Sequence, residues 1–501
     1  MRQRAPEFLV LAMDIGSSST RSAFFDEKGR VLPITRASRE YAVHYSADGG
    51  AELSPALLRN AVQTCARETL RARRDASSLR DVPIVAAGGS AFWHSLLGLD
   101  QKGRPITPVF TWADSRCATD AAQLRIELDE RKIHARTGCM LRASFWPAKL
   151  RWLRRTRPRL FHRVARWVSP AEWIYEELFG AGGCNPSMAS GTGLYDLRGH
   201  WDGALCAAGG IDLSQLGALS EVADAREPVF PELRDLNVFT AIGDGAAGNL
   251  GCGADTAGRI AINIGTSAAV RLVCRENRVT STPFGLFRYV VDHDRTVLGG
   301  AVSNAGNLRK WCLRELRVDD TSLDKKKAFS RSAAANDKIT VLPFWVSERA
   351  PTWPENLHGA IVGLSQASSA AEILRVTTCA VYYRLAEILG LIERATRSAK
   401  AVIVSGGILH STPSLRLLAD ALGRDLLISP EAEASLRGAA VYVLEKLGQK
   451  RSPLRKAEIV RHERSLAKKH RLRRKQQIAL EKTLSRPLLP RSRSRPAGNE
   501  S

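Results

Sequence analysis

Two short turns rich in Gly, Ser and Thr, about half the chain apart, constrain this sequence more than any other feature. The first follows the apolar run Leu9 to Ile15 and reads Gly16-Ser17-Ser18-Ser19-Thr20-Arg21, leading into the apolar stretch Ser22 to Phe25. The second follows Arg259 to Ile264 and reads Gly265-Thr266-Ser267, leading into Ala268 to Val273. Short β-branched runs on both sides of each turn predict strand, tight turn, strand. Glycine allows close approach of the backbone, and exposed N–H groups beside hydroxyls suit a polyanion. Asp14, at the strand end before the first turn, suits a divalent cation held through water. A single turn of this kind is an ordinary hairpin with a serine-rich tip. Two in corresponding places of two halves imply a duplicated phosphate clamp.

A third segment, Ala401 to Ser405, is a buried-type strand ending in Gly406-Gly407, with Ser411 shortly after. Ser414 to Gly423 follows with helical apolar spacing and a terminal glycine. Alone, strand, Gly-Gly and helix fit many α/β proteins. In this order, the three elements resemble the FGGY carbohydrate kinases of the actin-like ATPase superfamily, and the resemblance runs from about Phe8 to Gly448. It implies an α/β fold of two actin-like (ribonuclease H-like) ATPase domains with a cleft between them. It also implies ATP and Mg2+ as cofactors, with Asp14, Gly16, Ser17, Ser18, Ser19, Thr20, Arg21, Gly265, Thr266, Gly306, Gly406, Gly407 and Ser411 on the nucleotide side. Some positions depart from the family: Ser414 and Arg416 stand where Trp and Gln are common, and Lys310 replaces a polar uncharged residue.

Phosphoryl transfer to an alcohol needs a base near the hydroxyl. Ala241-Ile242-Gly243-Asp244-Gly245 places one carboxylate between glycines at the end of an apolar run. An isolated Asp-Gly is usually a turn, but the family carries its catalytic base in this position, which implies Asp244. For the acceptor, the resemblance points to His94 in Gly88 to Asp100, to Trp112 and Asp114 in Thr107 to Arg116, and to Arg142 in Thr137 to Trp152. Phe92, Trp93, Phe145 and Trp146 read as wall or core. These segments, with Met188 to Asp196 and Trp201-Asp202, look most like the gluconokinase branch, which phosphorylates the 6-hydroxyl of D-gluconate. An acid acceptor wants a cation, for which Arg142, Lys149 and Arg116 are the candidates. Another acceptor, such as xylulose, ribulose or a polyol, is the nearest alternative. A non-metabolic actin-like ATPase or sensor is a further one, although it has no need of a polyol pocket.

At 501 residues the chain exceeds the size at which one core keeps growing, so more than one domain is expected. The expected division is 8–250 for the first FGGY domain, 258–447 for the second, and 449–501 for a basic helix and disordered tail. The resemblance implies a hinge between the two domains, for which the glycine-rich Gly251 to Gly258 is the expected segment. No apolar run approaches the roughly 20 residues of a membrane helix, and nine scattered cysteines without a Cys-x-x-Cys pair suit free thiols. Together with a start that leads directly into the first strand, this gives an expectation of a cytoplasmic enzyme with a small-molecule sugar or sugar acid as partner. A homo-oligomer is compatible with the sequence.

Charge is the unusual property. The formal net charge is +23, of which +13 lies in residues 449–501. His462 to Leu484 has helical composition with a sparse stripe of Leu466, Leu472, Ile478 and Leu484, expected to face the body if the helix docks. Ser485 to Ser501 is rich in Pro, Ser and Arg and is expected to be disordered. Such a tail suits nonspecific polyanion contact, and a solvated charged helix is the plain alternative.

Overall fold

The computed structural model describes residues 5–180, 182–223, 225, 227–256, 258–275, 281–316, 330–354, 357–396, 401–450, 452–454 and 457–485. Two mixed sheets organise the chain, and they share one topology. In the first, the central strand Leu9–Ile15 runs antiparallel to Ser19–Asp26, which pairs with Ala37–Glu40. On its other side it runs parallel to Ile84–Ala91, which pairs in parallel with Asn237–Gly243. In the second, Arg259–Ile264 is antiparallel to Ala268–Arg275, itself antiparallel to Arg295–Val302. Its other neighbour is the parallel strand Ala401–Ser405, followed by parallel Leu426–Ile428. This is the duplicated α/β fold that the paired turns imply.

The crossover from the antiparallel to the parallel side is helical in both halves, because parallel neighbours need a long connection across the sheet face. In the first half it is Pro55–Asp75, started by Ser54, whose hydroxyl accepts from the Leu57 amide, with proline in the first turn. In the second it is Ala370–Thr396. The central strands are buried throughout their apolar positions, and each sheet anchors its own core. A third core, built around Trp146, Trp152, Trp167 and Phe110, stabilises the insertion that carries the presumed acceptor loops.

The chain does not divide cleanly in sequence order. Helix Ala434–Lys446 packs on the first sheet, with Val441, Tyr442, Val443 and Leu444 in its core. It crosses helix Asp244–Gly251 at backbone contact. A Cβ on Gly438 would stand 1.7 Å from the Ala247 carbonyl oxygen, and one on Gly251 would stand 1.7 Å from that of Ala434.

The C-terminal helix runs from Arg464 to Leu484 and docks on the second half by only part of the expected stripe, with Leu466 buried and Ile478 and Leu484 half-buried. Leu472 is 57% exposed, and the buried positions are Leu466, His470, Gln477 and Glu481. Gln477 Nε2 donates to the Val341 and Ala380 carbonyls, and Glu481 receives the fully buried Arg384 at 2.7 Å. Hydrogen bonds and one ion pair therefore hold this helix, which apolar periodicity does not register. Of the expected disordered segment Ser485 to Ser501, residues 486–501 lie outside the described residues. All nine cysteines are free and buried. No described helix is long and apolar enough to cross a membrane.

Candidate active site

Each turn closes on itself by one backbone bond. The Gly16 amide donates to the Ser19 carbonyl at 2.9 Å, and the Gly265 amide to the Ser267 carbonyl at 2.9 Å. The second turn also receives the start of helix Gly306–Glu315: the Gly306 amide donates to the Gly265 carbonyl at 3.0 Å and Asn307 to Thr266 at 3.1 Å. Gly306 is needed there, since a Cβ would lie 2.4 Å from the Gly265 oxygen. Gly406 has φ +90°, a left-handed conformation natural to glycine, and backs onto Ile264.

Two cavities flank the second turn. One, of about 160 Å³, lies between the halves and is lined by Ser17, His94, Trp112 and Asp244 from the first, and by Ser267, Arg271, Tyr289, Arg349 and Trp353 from the second. The other, of about 320 Å³, lies within the second half; Gly265, Thr266, Gly306, Gly407, Ser411 and Lys310 line it. The turn Gly265 to Ser267 contributes to both, so a chain of phosphates laid across it would join them.

Asp244 is the first residue of helix Asp244–Gly251, at the end of strand Asn237–Gly243. Its Oδ1 accepts from the Gly245 amide at 2.7 Å. Burial raises its pKa above the ordinary carboxylate value, while the Arg271 charge, the Gly245 amide and Arg349 oppose the rise. A raised proton affinity is the direction that suits a group that is to take a proton. Asp14 is more deeply enclosed, and burial pushes it up to about 6 against Ser90 and Arg21. Ser90 Oγ donates to it at 2.7 Å and Arg21 Nη1 at 3.3 Å. A buried carboxylate at a phosphate-type turn, with few partners, fits a hydrated cation shared with phosphates. No group of three or more ligating side chains exists among the described residues, so a protein-only metal cage is not formed there.

Other residues singled out in the sequence are placed less directly. Ser17 lines the cleft, whereas Ser18 is exposed and Ser19 contributes its carbonyl to the turn. Thr20 is fully buried and its hydroxyl is spent on the Asp14 carbonyl. Arg21 bridges Asp14 and, at 3.2 Å, Glu433.

Two expected acceptor residues stand outside the cleft. Asp114 is 2% exposed; it accepts from the Ala51 amide at 3.1 Å and from Arg116, so its carboxylate fastens loops. Arg142 pairs with Glu130 and lies 5.9 Å from the Trp353 ring, behind the cavity wall. The other two cations proposed for an acid acceptor are also committed. Arg116 is held by Asp114 and Glu52, and Lys149 Nζ donates to the Ala143 carbonyl at 3.2 Å and to that of Ser144 at 2.5 Å. His94 does line the cleft. Its Nδ1 faces the Gly191 carbonyl, and burial lowers its pKa to about 3, so the ring is neutral.

Arg271, Tyr289, Arg349 and Trp353 escaped the reading of the sequence. Arg271 sits mid-strand, six residues beyond Gly265, and Arg349 in an irregular loop after Glu348. Charged Arg271 in the otherwise apolar run Ala268 to Val273 was the available signal. Arg349 lies over the Trp112 ring at 4.8 Å.

Comparison with known proteins agrees with this geometry. Residues 9–251 match the FGGY family of carbohydrate kinases, N-terminal domain, and residues 260–444 its C-terminal domain. The chain is 26% identical over 460 residues to a gluconokinase of Bacillus subtilis, covering 88% of each protein. Solved structures of a xylulose kinase and a gluconate kinase, both from Lactobacillus acidophilus, superpose with TM-scores of 0.85 and 0.84. Each is 23% identical and covers 95% of this chain and 98% of its own. The matched domains take in most of the chain, both sheets and both cavities: this protein belongs to the FGGY family of carbohydrate kinases.

Proposed function

We propose that the protein transfers the γ-phosphate of ATP to a hydroxyl of a sugar or sugar acid, with D-gluconate, giving 6-phospho-D-gluconate, as the first acceptor to test. The observation that carries the reading is the placement of Asp244 in the cavity between the two turns. In this reading the acceptor lies against Trp112 and His94 with its reacting hydroxyl toward Asp244. Asp244 takes the proton as the acceptor oxygen bonds to the γ-phosphorus and the bond to the bridging oxygen breaks, releasing ADP. The Gly16 and Gly265 turns hold the phosphates, and the larger cavity takes the nucleoside. Mg2+, held through water by Asp14, would supply charge compensation on the phosphates. The gluconokinase similarity supports gluconate; the comparable likeness to a xylulose kinase keeps pentuloses in the panel. Nine buried free thiols support a reducing, cytoplasmic setting.

The test is ADP release over D-gluconate, pentuloses, polyols and glycerol, for the wild type and Asp244→Asn. The substitution keeps shape and removes basicity, so turnover should fall by roughly 10²-fold or more. Near-normal turnover in a folded Asp244→Asn protein would remove the base, and no ADP release with any acceptor would remove the reaction.

A further inference from the structure

The cleft carries more positive charge than the transfer chemistry so far assigned to it uses. Among its lining residues Asp244 is the one carboxylate, against two guanidiniums, Arg271 and Arg349. Arg271 occupies a slot made by two glycines. A Cβ on Gly299 would lie 3.1 Å from Arg271 Cγ, and one on Gly245 would lie 2.7 Å from Arg271 Nε. That Nε is buried and has no hydrogen-bond partner among the described residues. Arg349 is fixed by Ser303 Oγ at 3.1 Å and the Val302 carbonyl at 3.2 Å, which leaves Nη1 uncommitted among the described residues. Burial lowers the pKa of both, as expected for cations with too little solvation. A buried guanidinium without a hydrogen-bonded carboxylate is costly, and the neighbouring charges of Asp244 and Glu348 offset that cost only in part, so a ligand anion would stabilise both.

We propose that Arg271, with Arg349 beside it, forms a carboxylate subsite of the acceptor pocket, so that the acceptor is a polyhydroxy acid and not a neutral polyol. This rests on the kinase reading above. The other anion that could reach the cleft is the γ-phosphate. Arg271 lies four residues along an extended strand from Ser267, about 13 Å at 3.3 Å per residue. That separation places its Cα beyond the turn that grips phosphate, while its guanidinium, packed beside Gly245, lines the acceptor cavity next to Asp244. A guanidinium also meets a carboxylate through two parallel hydrogen bonds, a match that a neutral hydroxyl lacks.

The experiment is calorimetric titration of the full chain with D-gluconate and with D-glucitol, which replaces the carboxylate by a neutral carbinol, with no nucleotide present. Wild type, Arg271→Met and Arg271→Lys are compared, together with their steady-state kinetics. Gluconate should bind the wild type at least about tenfold more tightly than glucitol. Arg271→Met should lose gluconate affinity by roughly ten- to a hundredfold, with the KM for ATP nearly unchanged, and Arg271→Lys should recover part of the loss. Equal or better binding of glucitol by the wild type would overturn the subsite. So would an equal fall in turnover and ATP affinity for acid and neutral acceptors in Arg271→Met, which assigns the residue to the γ-phosphate. If no acceptor is phosphorylated, the kinase reading fails, and the binding comparison still decides the subsite.

Discussion

The backbone of Gly243 lies directly against the indole of Trp93: a Cβ at residue 243 would stand 1.8 Å from Trp93 Cε2. Trp93 is itself fixed, its Nε1 donating to the Ser187 carbonyl at 2.9 Å, while the Gly243 amide donates to Ser187 Oγ at 3.1 Å. The indole therefore sets the position of the strand end from which Asp244 projects.

Gly243→Ala should displace either the indole or Asp244, lowering kcat by on the order of 10²-fold, the scale expected when a reacting group shifts by about 1 Å. Trp93→Phe, which replaces the bicyclic indole by a single smaller ring, should restore part of kcat when combined with Gly243→Ala. Steady-state rates of both single variants and the double variant check this. Additive losses in the double variant would mean that the contact does not position Asp244.

The two turn glycines should respond differently to added bulk. A Cβ on Gly16 meets the Ser19 carbonyl oxygen at 2.9 Å, whereas one on Gly265 meets nothing nearer than the Ser267 oxygen at 4.0 Å. Gly265→Val should thus keep thermal stability near that of the wild type and lose ATP affinity, because its side chain enters the space between the cavities. Gly16→Val should lower stability as well. Calorimetry with ATP and thermal melting separate the two, and an unchanged ATP affinity in Gly265→Val would make that turn merely structural.

Glu481→Gln should destabilise the protein by about 3 kcal/mol, since it leaves the fully buried Arg384 with only the more distant Glu387, at 4.0 Å, as a charge partner. Replacing both residues, as in Arg384→Met with Glu481→Leu, should cost less than Glu481→Gln alone. Chemical denaturation of the two proteins measures the difference. By contrast, removal of residues 486–501 should leave kinase activity intact, because every residue lining the two cavities lies upstream.

Acid should loosen the same helix through His470. This fully buried ring has Tyr383 Oη 2.8 Å from Nδ1 and no partner for Nε2 among the described residues, and burial lowers its pKa from 6.5 to about 4. Asp420 and Asp337 oppose that shift, while Arg473 and Arg331 add to it. Between these values the unfolded state binds the proton and the folded state does not. The stabilisation is therefore present above pH 6.5 and is lost as pH falls through about 4, a change of about 3 kcal/mol. Melting temperatures from pH 8 to 4 should fall more for the wild type than for His470→Gln; parallel curves would exclude the histidine.

Local order was legible in the chain itself. The strand–turn–strand units at Gly16 and Gly265, the Gly406-Gly407 turn and Asp244 between its glycines all show in the sequence, because each depends on backbone geometry within a few residues. What only the tertiary structure decided was which charges are spent and which are left over. Asp114, Arg116, Arg142 and Lys149 are equally polar in sequence, yet folding satisfies them with loop amides, carboxylates and carbonyls. Arg271 and Arg349 are brought to the cleft by strand register and loop packing across the two halves. The docking face of the C-terminal helix was hidden for the same reason. An apolar period marks burial driven by water exclusion, but His470, Gln477 and Glu481 are buried by specific partners distant in sequence. Local spacing fixes backbone shape, whereas the pairing of buried polar groups exists only once the chain has closed on itself.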